Sequence, residues 1–161
     1  MNQIFLNEVD LVLDLHKENS EIIPFLMDEK IIENFDGLLE KYPEGIKVIL
    51  VKTKKENLLV VGNSTLIKLH PQIALAYLRL NNLKEIKICG GAKLKKNAAG
   101  KIEIYEKSIL LGEMDTNLLK DCLLNKKLDI KPTKPYLKIN SIKFKKFTEE
   151  KLKEIILSIK K

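Results

Sequence analysis

The chain has 161 residues, room for one domain of ordinary size and for a core that stands without disulfides or a structural metal. Hydrophobic residues make up 45% and charged residues 32%, the balance of a folded soluble protein, and apolar runs such as VILV (48–51) and LLVV (58–61) are strand-sized, far short of the roughly 20 residues of a membrane span. The formal net charge is +7 and almost wholly lysine, with Arg79 the only arginine; this favours anionic partners in general and argues against bidentate reading of guanine edges.

Glu8, Asp10 and Asp14 interrupt the first apolar stretch and no basic segment precedes it, so the expectation is a cytoplasmic protein without a secretory leader. Cys89 and Cys122 form no C-x-x-C pair and lie far in sequence from His16 and His70. A zinc site needs more ligands at tighter spacing, so neither metal nor cofactor is expected.

Taken in chain order, VDLVLDL (9–15) alternates like a strand. Ser20 is placed to cap a short helix over 21–28, with Pro24 in its first turn or breaking it. IIENFDGLLEKY (31–42) sets Ile31, Ile32, Phe35, Leu38 and Leu39 at helical spacing, and Pro43 and Gly45 end that unit. IKVILVKT and NLLVVG then read as two strands of a hairpin joined through KKEN (54–57). HPQIALAYLRLNN opens with Pro71 in a first turn, carries Ile73, Ala74, Tyr77 and Leu80 on one stripe, and stops at Asn81-Asn82.

EIKIC reads as a strand, Gly90-Gly91 as a break, and AKL as extended chain resuming. NAAGK is a turn in which Gly100 supplies positive φ. In KIEIYEKS, Ile102 and Ile104 face one way and Glu103 and Tyr105 the other. Asp115 is placed as the N-cap of a helix with Leu118, Leu119, Cys122 and Leu123; Pro132 and Pro135 mark a loop; YLKINSIKFKKF (136–147) is extended. Thr148 caps a last helix with Leu152, Ile155, Ile156 and Ile159 on one face. From residue 46 the order is β-β-α-β-β-α-β-α. Hairpins outnumber crossovers, which predicts an α+β protein: a mixed β-sheet with helices packed on it.

The glycines invite a test against phosphate loops. A Walker loop needs G-x-x-x-x-G-K-[ST], but Lys95 stands at its first glycine and Ile102 at its last position. A dinucleotide fingerprint opens a helix, whereas Gly90-Gly91 is followed by strand and turn. A bulge or a close backbone approach is the better account of the pair. His70, at a helix start, is a candidate general base, though a lone histidine is more often a cap or a surface residue. Lys143, Lys145 and Lys146 interleave with Phe144 and Phe147, a pattern able to stack on and neutralise nucleic acid; the plainer account is an edge strand whose lysines deter aggregation.

The succession is a lysine-bearing strand (IKVILV), a strand ending in glycine (LLVVG), a histidine opening a helix, then ICGGAKL and GKIEIYEKSILLG. Over about residues 46–125, near half the chain, it resembles the phosphohistidine phosphatase (Janus/Ocnus) family. The resemblance implies a phosphohistidine-phosphatase-like core over 46–140 of a single domain, with an N-terminal addition over 1–45 and a C-terminal strand and helix over 141–161. It implies a metal-independent phosphohydrolase in which His70 activates water and Lys47 binds the phosphoryl group. Ser108 and the backbone N–H groups of Ile109 and Leu110 would complete the anion pocket. Lys93 stands where the family has arginine, so the bidentate grip there is absent. Ala92 replaces a third glycine, Tyr105-Glu106 replaces a tyrosine–glycine pair, and Pro71, which lacks an N–H, removes one expected donor. The partner implied is a phosphorylated substrate or other anion. The alternative is a non-catalytic module on the same fold that binds an anion, RNA or a phosphoprotein.

Overall fold

The computed structural model describes residues 3–18, 35–52, 57–62, 67–107, 111, 128–130 and 145–159. In chain order the elements are α1 (Gln3–Glu18), α2 (Phe35–Lys41), β1 (Ile46–Lys52), β2 (Asn57–Gly62), α3 (His70–Leu80), β3 (Glu85–Lys96), β4 (Ile102–Lys107), β5 (Leu128–Ile130), β6 (Lys145–Thr148) and α4 (Glu149–Ser158). The helix expected over 21–28, the turn residues 53–56, the helix expected from Asp115, the proline loop and most of 136–147 lie outside the described residues.

The protein is α+β. Its sheet runs β2-β1-β3-β4-β5, with β6 also on β3. Every described pairing is antiparallel except β4–β5, which is parallel and makes the sheet mixed. β3 is its spine. One edge carries β1, while the other carries β6 along Glu85–Ile88 and β4 along Ala92–Lys96.

Gly90-Gly91 does not break β3. The register passes from Ile49↔Gly91 to Val51↔Ile88, so Cys89 and Gly90 together oppose Leu50 in a β-bulge. Gly90 takes φ 73, a left-handed value that suits glycine. A second irregularity lies between Ala92↔Lys107 and Lys93↔Tyr105 and makes Glu106 the extra residue of β4. The 97–101 turn forms as the sequence predicts: Gly100 has φ 78, and the Asn97 Oδ1 accepts from the N–H groups of Ala99 and Lys101 at 3.0 Å each.

Two apolar layers flank the sheet. On one face Ile49, Val51, Ile86, Ile88 and Phe147 pack with α1, α3 and α4. α3 is buried from His70 to Leu78 because the sheet lies below it and α1 and α4 lie above it. On the other face Ile46, Val48, Leu50, Leu94, Ile102 and Ile104 are buried, and α2 supplies Leu39 and an ion pair from Glu40 to Lys96 at 2.9 Å. Fully burying one such aliphatic side chain stabilises the fold by about 1.5–3 kcal/mol.

The N-terminal segment departs from its sequence reading. VDLVLDL is not a strand but the middle of α1. Its alternation is genuine, yet Leu6, Val9 and Val12 also recur at helical spacing and are buried on α3 and α4, while Leu11, in phase with the strand pattern, is 55% exposed. α1 therefore lies in one layer with α3 and α4.

The single arginine ties that layer together. Arg79 of α3 donates from Nη1 to Asp10 of α1 at 2.8 Å and from Nε to Glu149 of α4 at 2.9 Å. The final helix begins as predicted, with the Thr148 hydroxyl accepting from the Lys151 N–H at 3.2 Å and with Leu152 and Ile156 buried. Phe147 corrects the stacking pattern read from the sequence: it is buried in the core and offers no face to a nucleobase, while Lys145 and Lys146 beside it are exposed.

Candidate functional site

α3 begins at His70, with Leu69 as an extended N-cap (φ −126, ψ 141). Leucine cannot cap, and the work falls to Gln72, whose Oε1 accepts from the N–H groups of Leu69 at 3.0 Å and Lys68 at 3.2 Å. Its Nε2 donates to the Phe5 carbonyl at 2.9 Å and to Glu8 Oε1 at 3.0 Å. One fully buried amide thus satisfies the helix start and fastens α1 to it. Pro71 costs no hydrogen bond here, because a first-turn N–H has no partner within the helix.

His70 is 94% buried; its residual exposure is 6%. The ring lies over Gly91, and an added Cβ there would come within 2.5 Å of its Cδ2. Nε2 stands 2.9 Å from the Ala92 carbonyl. A carbonyl only accepts, so Nε2 carries the proton of this bond. The close approach read for the glycines is therefore real, and what approaches is the candidate base.

Lys47 is opposite Lys93 in the β1–β3 register, as Ile49 is opposite Gly91. Opposed residues share a face, so both lysines lie on the side of the sheet that carries His70. The Lys47 ammonium donates to the carbonyl of Lys68, two residues before the histidine. Tyr105 takes the next register position, across from Lys93, and Lys95 lies across from Glu103. The sheet face beyond the start of α3 is thus polar and basic, with Lys47, Lys93 and Lys95 on it.

Three of the six sequence-assigned site residues, His70, Lys47 and Lys93, come together here. Ser108, Ile109 and Leu110 lie outside the described residues. Their described neighbours are Lys107, paired with Ala92, and Leu111, buried in the core. Sequence reasoning missed Gln72; its signal was a glutamine at the third helical position after an apolar cap. No group of three or more His, Cys, Asp or Glu among the described residues is placed to hold a metal, and no described helix is long and apolar enough to cross a membrane. Comparison with protein-family models, curated proteins and solved structures gives no match to this chain.

Proposed function

We propose that the chain binds a phosphoryl group over β1 and β3 and is a metal-independent phosphohydrolase of the phosphohistidine phosphatase type. One observation carries the reading: two lysines directly opposed across β1 and β3, on the sheet face that holds a buried histidine at a helix start. A phosphoryl dianion between the two ammonium groups would be held by both charges. Lys47 and Lys93 offset the phosphoryl oxygens. His70, oriented through Nε2 by Ala92, takes the proton of the attacking water at Nδ1. The water oxygen bonds to phosphorus, the bond to the leaving nitrogen or oxygen breaks, and the leaving group departs with the proton that His70 took, which restores the neutral imidazole. Ser108 and the backbone after it would supply the remaining donors. Catalysis of this kind is mostly positioning and charge stabilisation.

A second reading, a non-catalytic phosphate-binding module, is favoured by the depth of His70 and by Pro71, which offers no N–H to an anion. Hydrolysis of phosphohistidine in the presence of EDTA by wild type, His70→Ala and Lys47→Met separates the two. The phosphatase reading expects turnover that falls at least a hundredfold in His70→Ala. Equal rates in wild type and His70→Ala would overturn it, and phosphate binding lost in Lys47→Met without turnover in wild type would establish the module.

A further inference from the structure

At the far end of the same three elements the β1–β3 pairing runs to Lys52↔Lys87. Beside that point a cleft of about 690 Å³ opens between the end of β1, the start of β3 and the end of α3, a size typical of small-molecule sites. Val51 and Ile86, both part of the buried layer against the helices, form its strand wall, and Tyr77 forms its helix wall. Leu83, 40% exposed, stands at its edge. Lys52, Glu85 and Lys87 border the cleft as well, but each is next in its strand to Val51 or Ile86. Successive strand residues point to opposite faces, so these three charges project from the other face of the sheet. Among the described lining residues, the wall itself carries no ammonium and no carboxylate.

The second observation is the Tyr77 phenol. Tyr77 follows His70 by nearly two full helical turns, so the two share one stripe of α3. His70 on that stripe lies over Gly91, so the stripe faces the sheet. Tyr77 is only 7% exposed. Asn81, on the same stripe, directs its side-chain amide to the Tyr77 backbone carbonyl at 2.9 Å, and among the described residues no group meets the phenol hydroxyl. A buried phenol ordinarily has a hydrogen-bond partner. Burial raises the pKa of this one, so at neutral pH it is an uncharged donor.

We propose that this cleft binds a small neutral carbonyl compound, a ketone, ester or amide in class, whose oxygen accepts from the Tyr77 hydroxyl and whose apolar body lies against Val51, Ile86 and the tyrosine ring. An anion would meet an apolar wall with no countercharge, and a hydrocarbon would leave the phenol without a partner. The site is independent of the His70 site: the two share no side chain, and either can fail without the other.

The test titrates the full chain with acetophenone and with ethylbenzene, a probe of similar shape that has no acceptor, and follows amide chemical shifts. The expected result is saturable one-to-one binding of both, with shifts centred on residues 51, 77, 81, 83 and 86. Tyr77→Phe removes only the hydroxyl, so it should weaken acetophenone about fivefold or more and leave ethylbenzene within about twofold of wild type. Benzoate, close to acetophenone in shape but charged, should bind wild type at least about tenfold more weakly than acetophenone does. Absence of saturable shifts with acetophenone overturns the proposal, as does an equal effect of Tyr77→Phe on the two neutral probes. Benzoate binding as tightly as acetophenone overturns it too, and so do shifts centred on His70 and Gly91.

Discussion

The imidazole of His70 occupies the space that a side chain at Gly91 would need: a Cβ there would lie 2.5 Å from Cδ2 and 2.9 Å from Cγ. The glycine is therefore a seat for the histidine and not a phosphate loop. Gly91→Ala should cost about 1–3 kcal/mol, the usual range for overpacking a tight interior. In His70→Ala the same substitution should cost markedly less, because the opposing ring is gone. Denaturant unfolding of the two single variants and the double variant gives the coupling. Strictly additive effects would mean that the two residues do not share this space.

Gln72 makes four hydrogen bonds from complete burial and joins two helices. Gln72→Ala should destabilise the protein by about 2–4 kcal/mol, since it leaves the Phe5 carbonyl without this donor and the helix start without its cap. Gln72→Leu, close in volume, should recover little of this. Urea midpoints at constant slope are the measurement, and a loss below about 0.5 kcal/mol would show that water replaces the amide at little cost.

Arg79 bridges Asp10 and Glu149 with its side chain 23% exposed. Arg79→Met keeps much of the aliphatic contact and removes the charge, so the predicted loss is modest, about 1 kcal/mol at low salt. Raising the salt concentration should narrow the gap between variant and wild type, because screening weakens the pairs. A gap that does not respond to salt would assign the effect to packing.

Tyr77 supplies a pH dependence with a defined sign. Burial raises its pKa above the ordinary 10.0. Above that ordinary value the unfolded chain loses the phenolic proton while the folded chain keeps it, so stability is fully present below pH 10 and is lost as the pH climbs toward the folded pKa. Wild type should therefore fall in stability relative to Tyr77→Phe over the alkaline range, and the comparison cancels the lysine titrations common to both. At neutral pH Tyr77→Phe should cost almost nothing, since no described protein group meets the hydroxyl. Parallel alkaline profiles would place the phenol in water.

Local chemistry made much of this protein legible in one dimension. Pro71 in a first turn, Asn81-Asn82 at a helix end, the Asn97–Lys101 turn and the Thr148 cap each depend on residues within a few positions of one another, and each forms as the sequence predicts. The antiparallel pairing of β1 with β2 and of β3 with β4 was equally readable, because a short turn leaves few other registers. What the sequence left open depended on partners far along the chain. VDLVLDL satisfies both the strand and the helix period, and contact with α3 and α4 selects the helix. Phe147 alternates with lysines like a stacking residue, but its pairing opposite Ile86 turns it into the core. The sequence by itself determined an α+β protein with a histidine at a helix start and lysine-bearing strands. Only the tertiary structure decided that the bulge at Cys89-Gly90 sets Gly91 under His70 and Lys93 across from Lys47, because a strand's faces are fixed by register and one inserted residue exchanges them.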